Sequence, residues 1–190
     1  MRAATPIRVC YADPPYPGCA HLYSKPGTPE YHPDAMRWDD PAEHVRLIAS
    51  MDQYYPDGWA LSTNPDALSV VGGAPRGSRL AAWCRNGGAG PRIAFCWELL
   101  IYKVPTQKRG DCTADWIMAG INTSGGFTGA KPPAFSHWLF KILGVGAHPD
   151  DEFVDMFPGS GAVTRAWDEF RAKRVTRGTT TQGNLFDVSP

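Results

Sequence analysis

An acid, two prolines and a tyrosine close the first apolar run of the chain: Asp13, Pro14, Pro15 and Tyr16 come directly after IRVCYA at residues 7–12. Proline fixes φ and has no N–H for a sheet ladder, so a strand over residues 7–12 must stop at Asp13. The turn beyond the strand is stiff and carries one carboxylate, rigid backbone carbonyls and one aromatic ring. Such a set suits a ligand that donates hydrogen bonds and offers a flat face. Ordinary strand ends use the same residue types, so the turn alone leaves both readings open. The second informative stretch is EFVDMFPGSGAVTRAWDEF at residues 152–170. An apolar strand feeds a glycine turn that opens a helix. Gly159 and Gly161 lack side chains, so backbone amides there can approach a ligand closely, and the first helical turn adds unsatisfied N–H groups. The spacing is neither GxGxxG nor GKS/T, so the dinucleotide fingerprint and the Walker loop are both absent. Ligands of open α/β sheets bind beyond the carboxyl ends of strands. Both turns come after strands and are expected to open on the same sheet edge.

The elements that must position these turns read as alternating strands and helices. A strand over residues 7–12 precedes a long loop rich in Pro, Gly and aromatics. A helix over residues 41–51 starts at an Asp39 or Asp40 cap, has Pro41 in its first turn and carries Val45, Ile48 and Met51 at helical spacing. Residues 58–64 read as a strand and residues 65–74 as a short helix stopped by Gly72 and Gly73. Two strands, residues 79–85 and 95–104, flank a turn-rich connection, and residues 105–129 read as loop. A helix over residues 132–144 puts Phe135, Trp138, Leu139 and Ile142 on one side. The strand at residues 152–157, the PGSG turn and a helix over residues 162–172 complete the pattern. Alternation of this kind predicts an α/β three-layer sandwich with a mostly parallel sheet.

A chain of 190 residues, 43% hydrophobic and 12% aromatic, is expected to form one domain with a proper core. Lys+Arg and Asp+Glu both number 19, so no global charge draws it to nucleic acid or membrane. The distribution is uneven: residues 28–66 are acidic, whereas residues 74–110 are basic with Glu98 the lone acid. A charged run is usually a solvated face, yet a basic segment beside a site would also neutralise phosphates. Five cysteines with no CxxC pair support neither a metal nor a disulfide framework and fit a reducing cytoplasm. The N-terminus lacks an apolar signal region and no run approaches a membrane span, so a soluble, cytoplasmic protein is expected.

Taken together the motifs resemble the S-adenosylmethionine-dependent amino-methyltransferases, specifically the DNA adenine-N6 type. DPPY (Asp13, Pro14, Pro15, Tyr16) is similar to their catalytic motif, and DMFPGSG to their methyl-donor loop. GAKPPAFSHWLFKILG is similar to the Lys-Pro helix preceding that loop, and FCWELLIYKV to a Trp/Glu-bearing strand between the two. Catalytic motif first and donor loop last is the order of the permuted, beta class. The likeness spans residues 7 to about 175. It implies a Rossmann-like class I fold over residues 1–178, in which Asp13 and the Pro14 carbonyl accept the amine hydrogens of a flipped adenine while Tyr16 stacks on it. It also implies S-adenosyl-L-methionine as cofactor, held by Asp155, Phe157, Gly159, Ser160 and Gly161, with Lys131 and Pro132 close by. For Lys131 a surface position before the helix is an equal alternative, and Ser160 and Thr164 are also candidate helix caps.

The chain departs from this family in two places. After the donor helix the family has a strand ending in an acid that holds the ribose, whereas AKRVTRGTT offers only basic and hydroxyl residues. Residues 104–130, where target-recognition insertions sit, are short; Lys103, Lys108 and Arg109 are the candidate phosphate contacts there, and Asn122, Thr123 and Ser124 the candidate base readers. The tail, residues 179–190, contains Gln182, Leu185 and Phe186 in a Q-x-x-L-F arrangement that resembles bacterial sliding-clamp-binding peptides, and docking of Leu185 and Phe186 on the protein's own sheet is the alternative. The expected partner is double-stranded DNA with a flipped adenine, in a bacterial or phage-infected cell. N4-cytosine in DNA, adenine in RNA, and a non-catalytic nucleic-acid or clamp-binding subunit stay open as alternatives.

Overall fold

The structure is a computed structural model and describes residues 5–85, 96–121 and 130–182, with residues 175–182 described by backbone alone. The turn-rich connection at residues 86–94, the trio Asn122, Thr123 and Ser124, the tail residues Leu185 and Phe186 and the side chain of Gln182 lie outside this description. Six strands form one mixed sheet: β1 (Arg8–Ala12), β2 (Trp59–Thr63), β3 (Arg79–Cys84), β4 (Trp97–Lys103), β5 (Trp116–Met118) and β6 (Glu152–Asp155), in the order β5-β3-β4-β2-β1-β6. β1 pairs parallel with β2 and β6, and β3 parallel with β5, whereas β4 pairs antiparallel with both β2 and β3. Five strands therefore run one way and β4 runs against them.

Helices α1 (Pro41–Tyr54), α2 (Ala67–Val70), α3 (Pro133–Leu143) and α4 (Ala162–Gln182) supply the remaining regular structure, with two 3-10 turns at Ala20–Tyr23 and Ala35–Asp39. Side chains alternate across a strand, and β1 shows the consequence. Val9 and Tyr11 enter a core with Phe135 and Leu139 of α3 and Trp167 of α4. Cys10 and Ala12 enter a second core with Leu47, Ile48 and Met51 of α1. The sheet is thus covered by helices on both faces. No helix among the described residues is long and apolar enough to cross a membrane.

Three local expectations are corrected. Val45 is 49% exposed, because α1 buries the stripe His44, Leu47, Ile48 and Met51 instead. His44 can join this stripe because its Nε2 lies 2.7 Å from the Trp38 carbonyl oxygen, while burial lowers its pKa. Residues 104–130 are more than a loop: Trp116–Met118 adds an edge strand beside β3, too short to carry a period. Helix α4 continues past residue 172 to Gln182, so AKRVTRGTT is helical rather than a turn into another strand. The run holds no proline to stop it.

The edge of the sheet remote from the DPPY turn is fastened by a buried ion pair. Both side chains of Arg109 and Asp151 are only 1% exposed, and Arg109 Nη2 lies 2.6 Å from Asp151 Oδ1. Asp151 also accepts from the backbone amides of Ile7 at 3.0 Å, Gly146 at 2.7 Å and His148 at 3.0 Å. Arg109 donates onward to the carbonyls of Gly144, the left-handed C-cap of α3, and of Thr5. One pair thereby joins the approach to β1, the end of α3 and the start of β6. Asp151→Ala leaves the guanidinium buried without its carboxylate. A loss of about 3–5 kcal/mol is expected, and urea unfolding of the two proteins measures it; a loss under about 1 kcal/mol, the scale of exposed pairs, would refute the fastening role.

Candidate active site

β1 and β6 are parallel neighbours with Tyr11 opposite Asp155, so the chain leaves both strands on the same sheet edge. The Met156 amide still donates to the Tyr11 carbonyl at 2.9 Å, holding the two exits side by side. A cavity of about 290 Å³ lies at this edge. Asp13 and Tyr16 line it from the first turn; Phe157, Gly159 and Ser160 line it from the second. Pro14 is buried and Pro15 half-buried behind them, so both prolines serve as rigid backbone.

β4 brings the third component. Because it runs against its neighbours, its first residues lie at the edge where the others end, with Trp97 opposite Cys84 and Leu99 opposite Thr63. Glu98 therefore reaches the cavity from within an apolar strand. Lys131 enters from the residue before Pro132, the extended N-cap of α3.

These four side chains form one network. Lys131 Nζ lies 3.1 Å from Asp13 Oδ2 and 2.9 Å from Glu98 Oε2, and donates to the Tyr16 hydroxyl at 3.2 Å. Tyr16 donates to Glu98 Oε2 at 2.6 Å and is 3.3 Å from Asp13 Oδ1. Arg85 Nη1 sits 3.4 Å from the other oxygen of Glu98. The lysine is 6% exposed, and its ammonium lies 5.0 Å from the Trp83 ring centroid and 5.8 Å from those of Tyr16 and Phe135. Beneath them, Tyr11 Oη and Ser62 Oγ share a hydrogen bond of 2.8 Å.

Burial and charge act in opposite senses across the network. Burial raises Asp13, and Lys131 offsets this only in part, with Glu98 adding to the rise. Glu98 is also pushed up by burial, but Lys131, the Tyr16 hydrogen bond and Arg85 together bring it below the ordinary carboxylate range. Burial lowers Lys131, yet Asp13 and Glu98 outweigh it and hold the ammonium charged well above the usual lysine value. Tyr16 is raised by burial and by both carboxylates, so it stays a neutral donor.

In the second turn, Asp155 stands behind the cavity wall. Thr164 Oγ1 donates to it at 2.9 Å and the Phe157 amide at 3.3 Å, and burial nonetheless raises its pKa. Gly159 and Gly161 both take positive φ, and a Cβ on Gly159 would meet nothing nearer than 3.9 Å, so the space in front of it is open. Ser160 Oγ accepts from the Ala162 amide at 3.4 Å, a cap on α4. Phe157 meets Trp38 edge-on at 5.1 Å between ring centroids, which fixes the turn against the α1 side.

The basic residues of residues 103–109 are elsewhere. Lys103 is opposite Trp59 at the other end of β4 and pairs with Asp52 at 2.9 Å. Lys108 is exposed in a separate groove, which Arg109 also lines. Arg109 is committed to Asp151 and is too buried to touch a phosphate, a correction to its expected role. Tyr23, Glu30, Arg85 and Glu98 also line the cavity and Trp83 faces the Lys131 ammonium, and none of the five stands out as a site residue in the sequence. For Glu98 the signal was present: a lone acid within a basic segment and inside an apolar strand.

Comparison with protein-family models and with curated proteins finds no match to this chain.

Removing the shared cation tests the network. Glu98 has a lowered folded-state pKa, so its contribution is complete above the unfolded value and lost as pH falls through the folded one. Asp13, with a raised folded-state pKa, has the opposite sign: its contribution is complete below the unfolded value and lost as pH rises. Lys131→Met should cost about 3–5 kcal/mol near neutral pH. The unfolded chains titrate alike, so the gap to wild type follows the folded-state values. It should narrow as pH falls from neutral, because burial without the lysine raises both carboxylates in the variant, and go on narrowing until Glu98 of wild type protonates below the ordinary carboxylate range. Thermal melts across this range measure it, and a gap constant with pH would mean that Lys131 acts by packing alone.

Proposed function

We propose that the protein transfers a methyl group from S-adenosyl-L-methionine to the N6 amine of adenine in DNA, on a Rossmann-like class I methyltransferase fold. The observation that carries this reading is the cavity shared by the DPPY turn and the PGSG loop, two motifs far apart in the sequence. The exocyclic amine of adenine is a weak nucleophile because its lone pair is delocalised into the ring. Acceptors for its hydrogens favour a pyramidal nitrogen with an available lone pair, and Asp13 with the Pro14 carbonyl is the set this turn offers. The Tyr16 ring is the stacking surface for a base taken out of its duplex, worth about 1–3 kcal/mol.

The second turn suits the donor. The open approach to Gly159 and the amides at the start of α4 fit a carboxylate, and Phe157 offers a ring to an adenine or a sulfonium. Phe157, Gly159 and Ser160 are the residues that would hold it, with Asp155 and Gly161 shaping the turn behind. When bound, the donor supplies a methyl group on a positive sulfur, open to direct attack by the amine. No cysteine is required: Cys10 is buried, with its thiol pushed up to about 12 by burial.

The test is methyl transfer from labelled donor to unmethylated duplex DNA, read by nucleoside analysis of the digest. Wild type should yield N6-methyladenine. Asp13→Ala should lose about 10²–10³-fold, the scale of one preorganised electrostatic contact, and Tyr16→Ala about tenfold or more from lost stacking. Donor binding should survive both. N4-methylcytosine, or product on RNA only, would redirect the substrate assignment, and absence of donor binding would sink the enzyme reading.

A further inference from the structure

Asp13 is already occupied. Its Oδ2 holds the Lys131 ammonium at 3.1 Å. Its Oδ1 faces the Tyr16 hydroxyl at 3.3 Å, but that hydroxyl has one proton and a closer acceptor in Glu98, at 2.6 Å. The partner that counts for Asp13 is therefore a primary ammonium, the charged counterpart of the amine group a substrate would present. Its position is unusual on electrostatic grounds, since the residue lies just before the N-terminus of α3, where the helix dipole disfavours a cation. Two carboxylates and three aromatic rings hold it there.

We propose that Lys131 is the resident occupant of the amine subsite: its ammonium fills the hydrogen-bonding place on Asp13 that a substrate amine must take, and Glu98 is the positioning residue that receives it when the substrate arrives. The inference rests on the reading of Asp13 as the acceptor of a substrate amine. The geometry suits an exchange of small amplitude. Lys131 is already 2.9 Å from Glu98, so leaving Asp13 costs it one of two carboxylate contacts and no journey through apolar surroundings. Arg85 and Tyr16 meanwhile keep Glu98 ionised and aimed. The resident also keeps Asp13 from standing buried and uncompensated in the empty site, which would be costly. Its consequence is selectivity: a target lacking hydrogens to donate to Asp13 does not offset the displacement.

Steady-state methylation of duplex DNA at about pH 8, above the ordinary carboxylate range, separates the possibilities. Three variants are compared with wild type: Glu98→Gln, Lys131→Arg and Lys131→Met. Glu98→Gln replaces the receiving carboxylate with a neutral amide, and Lys131→Arg installs a forked cation that grips carboxylates more firmly. Both should raise KM for DNA about tenfold, the scale of one hydrogen bond to a charged group, and KM should change more than kcat. Lys131→Met removes the occupant and should lower KM severalfold. Circular dichroism and donor binding verify that each variant is folded. Should wild type methylate while the variants lose kcat at unchanged KM, or all shift KM in the same direction, the resident role is overturned and the methyltransferase reading stands. Should folded, donor-binding wild type methylate neither DNA nor RNA, the reading of Asp13 falls and the inference falls with it.

Discussion

A buried ammonium between two carboxylates is the constraint on which the site depends. Lys131, Asp13 and Glu98 come from three segments far apart in the chain, and none of them is stable alone as an ion in that environment. Desolvation of a lone ion costs several kcal/mol, so the members must arrive together and stay paired. The rings of Trp83, Phe135 and Tyr16 around the ammonium exclude water and strengthen each of these contacts. The turn after β1, the reversed strand β4 and the lead-in to α3 are in this way tied into one electrostatic unit.

The sheet makes that meeting possible. Parallel strands end on a common edge, and this is what places the DPPY turn beside the PGSG loop. A sixth strand running the same way would contribute its C-terminal residues to that edge. β4 runs the other way and contributes its first residues instead, so Glu98 arrives there while Lys103 goes to the far end. The far end has its own organising pair in Arg109 and Asp151, which closes the loop between the approach to β1 and the start of β6. One buried ion pair thus serves architecture, and the buried cluster opposite it lines the cavity.

The same charges explain why neighbouring acids differ. Glu98 has Lys131, Arg85 and a short hydrogen bond from Tyr16, and stays ionised. Asp13 has a share of one cation, and burial raises it. Two carboxylates within reach of a single lysine are therefore unequal, Glu98 held below and Asp13 above the ordinary carboxylate range.

Much of this was legible in the sequence. That Asp13, Tyr16, Phe157, Gly159 and Ser160 lie in turns at strand ends, where they line the cavity, was legible because proline and glycine punctuate strands for stereochemical reasons, and such punctuation is local. The same holds for the stripe of Phe135, Trp138, Leu139 and Ile142 and for the alternation of strands and helices. Val45 was misread because two overlapping helical stripes fit α1, and only packing against the sheet selects the one through His44 and Leu47. β5 was missed because three residues carry no period. Lys131 could be either surface or site until the fold supplied two carboxylates to hold it, and Arg109 looked like a free cation until Asp151 lay against it. Local stereochemistry is written in neighbouring residues, so the sequence by itself determined that a strand runs into each of the two turns that line the cavity. Charge pairing acts between residues far apart in the chain, so only the tertiary structure decided which ions are buried, which partners they have and what remains free to act.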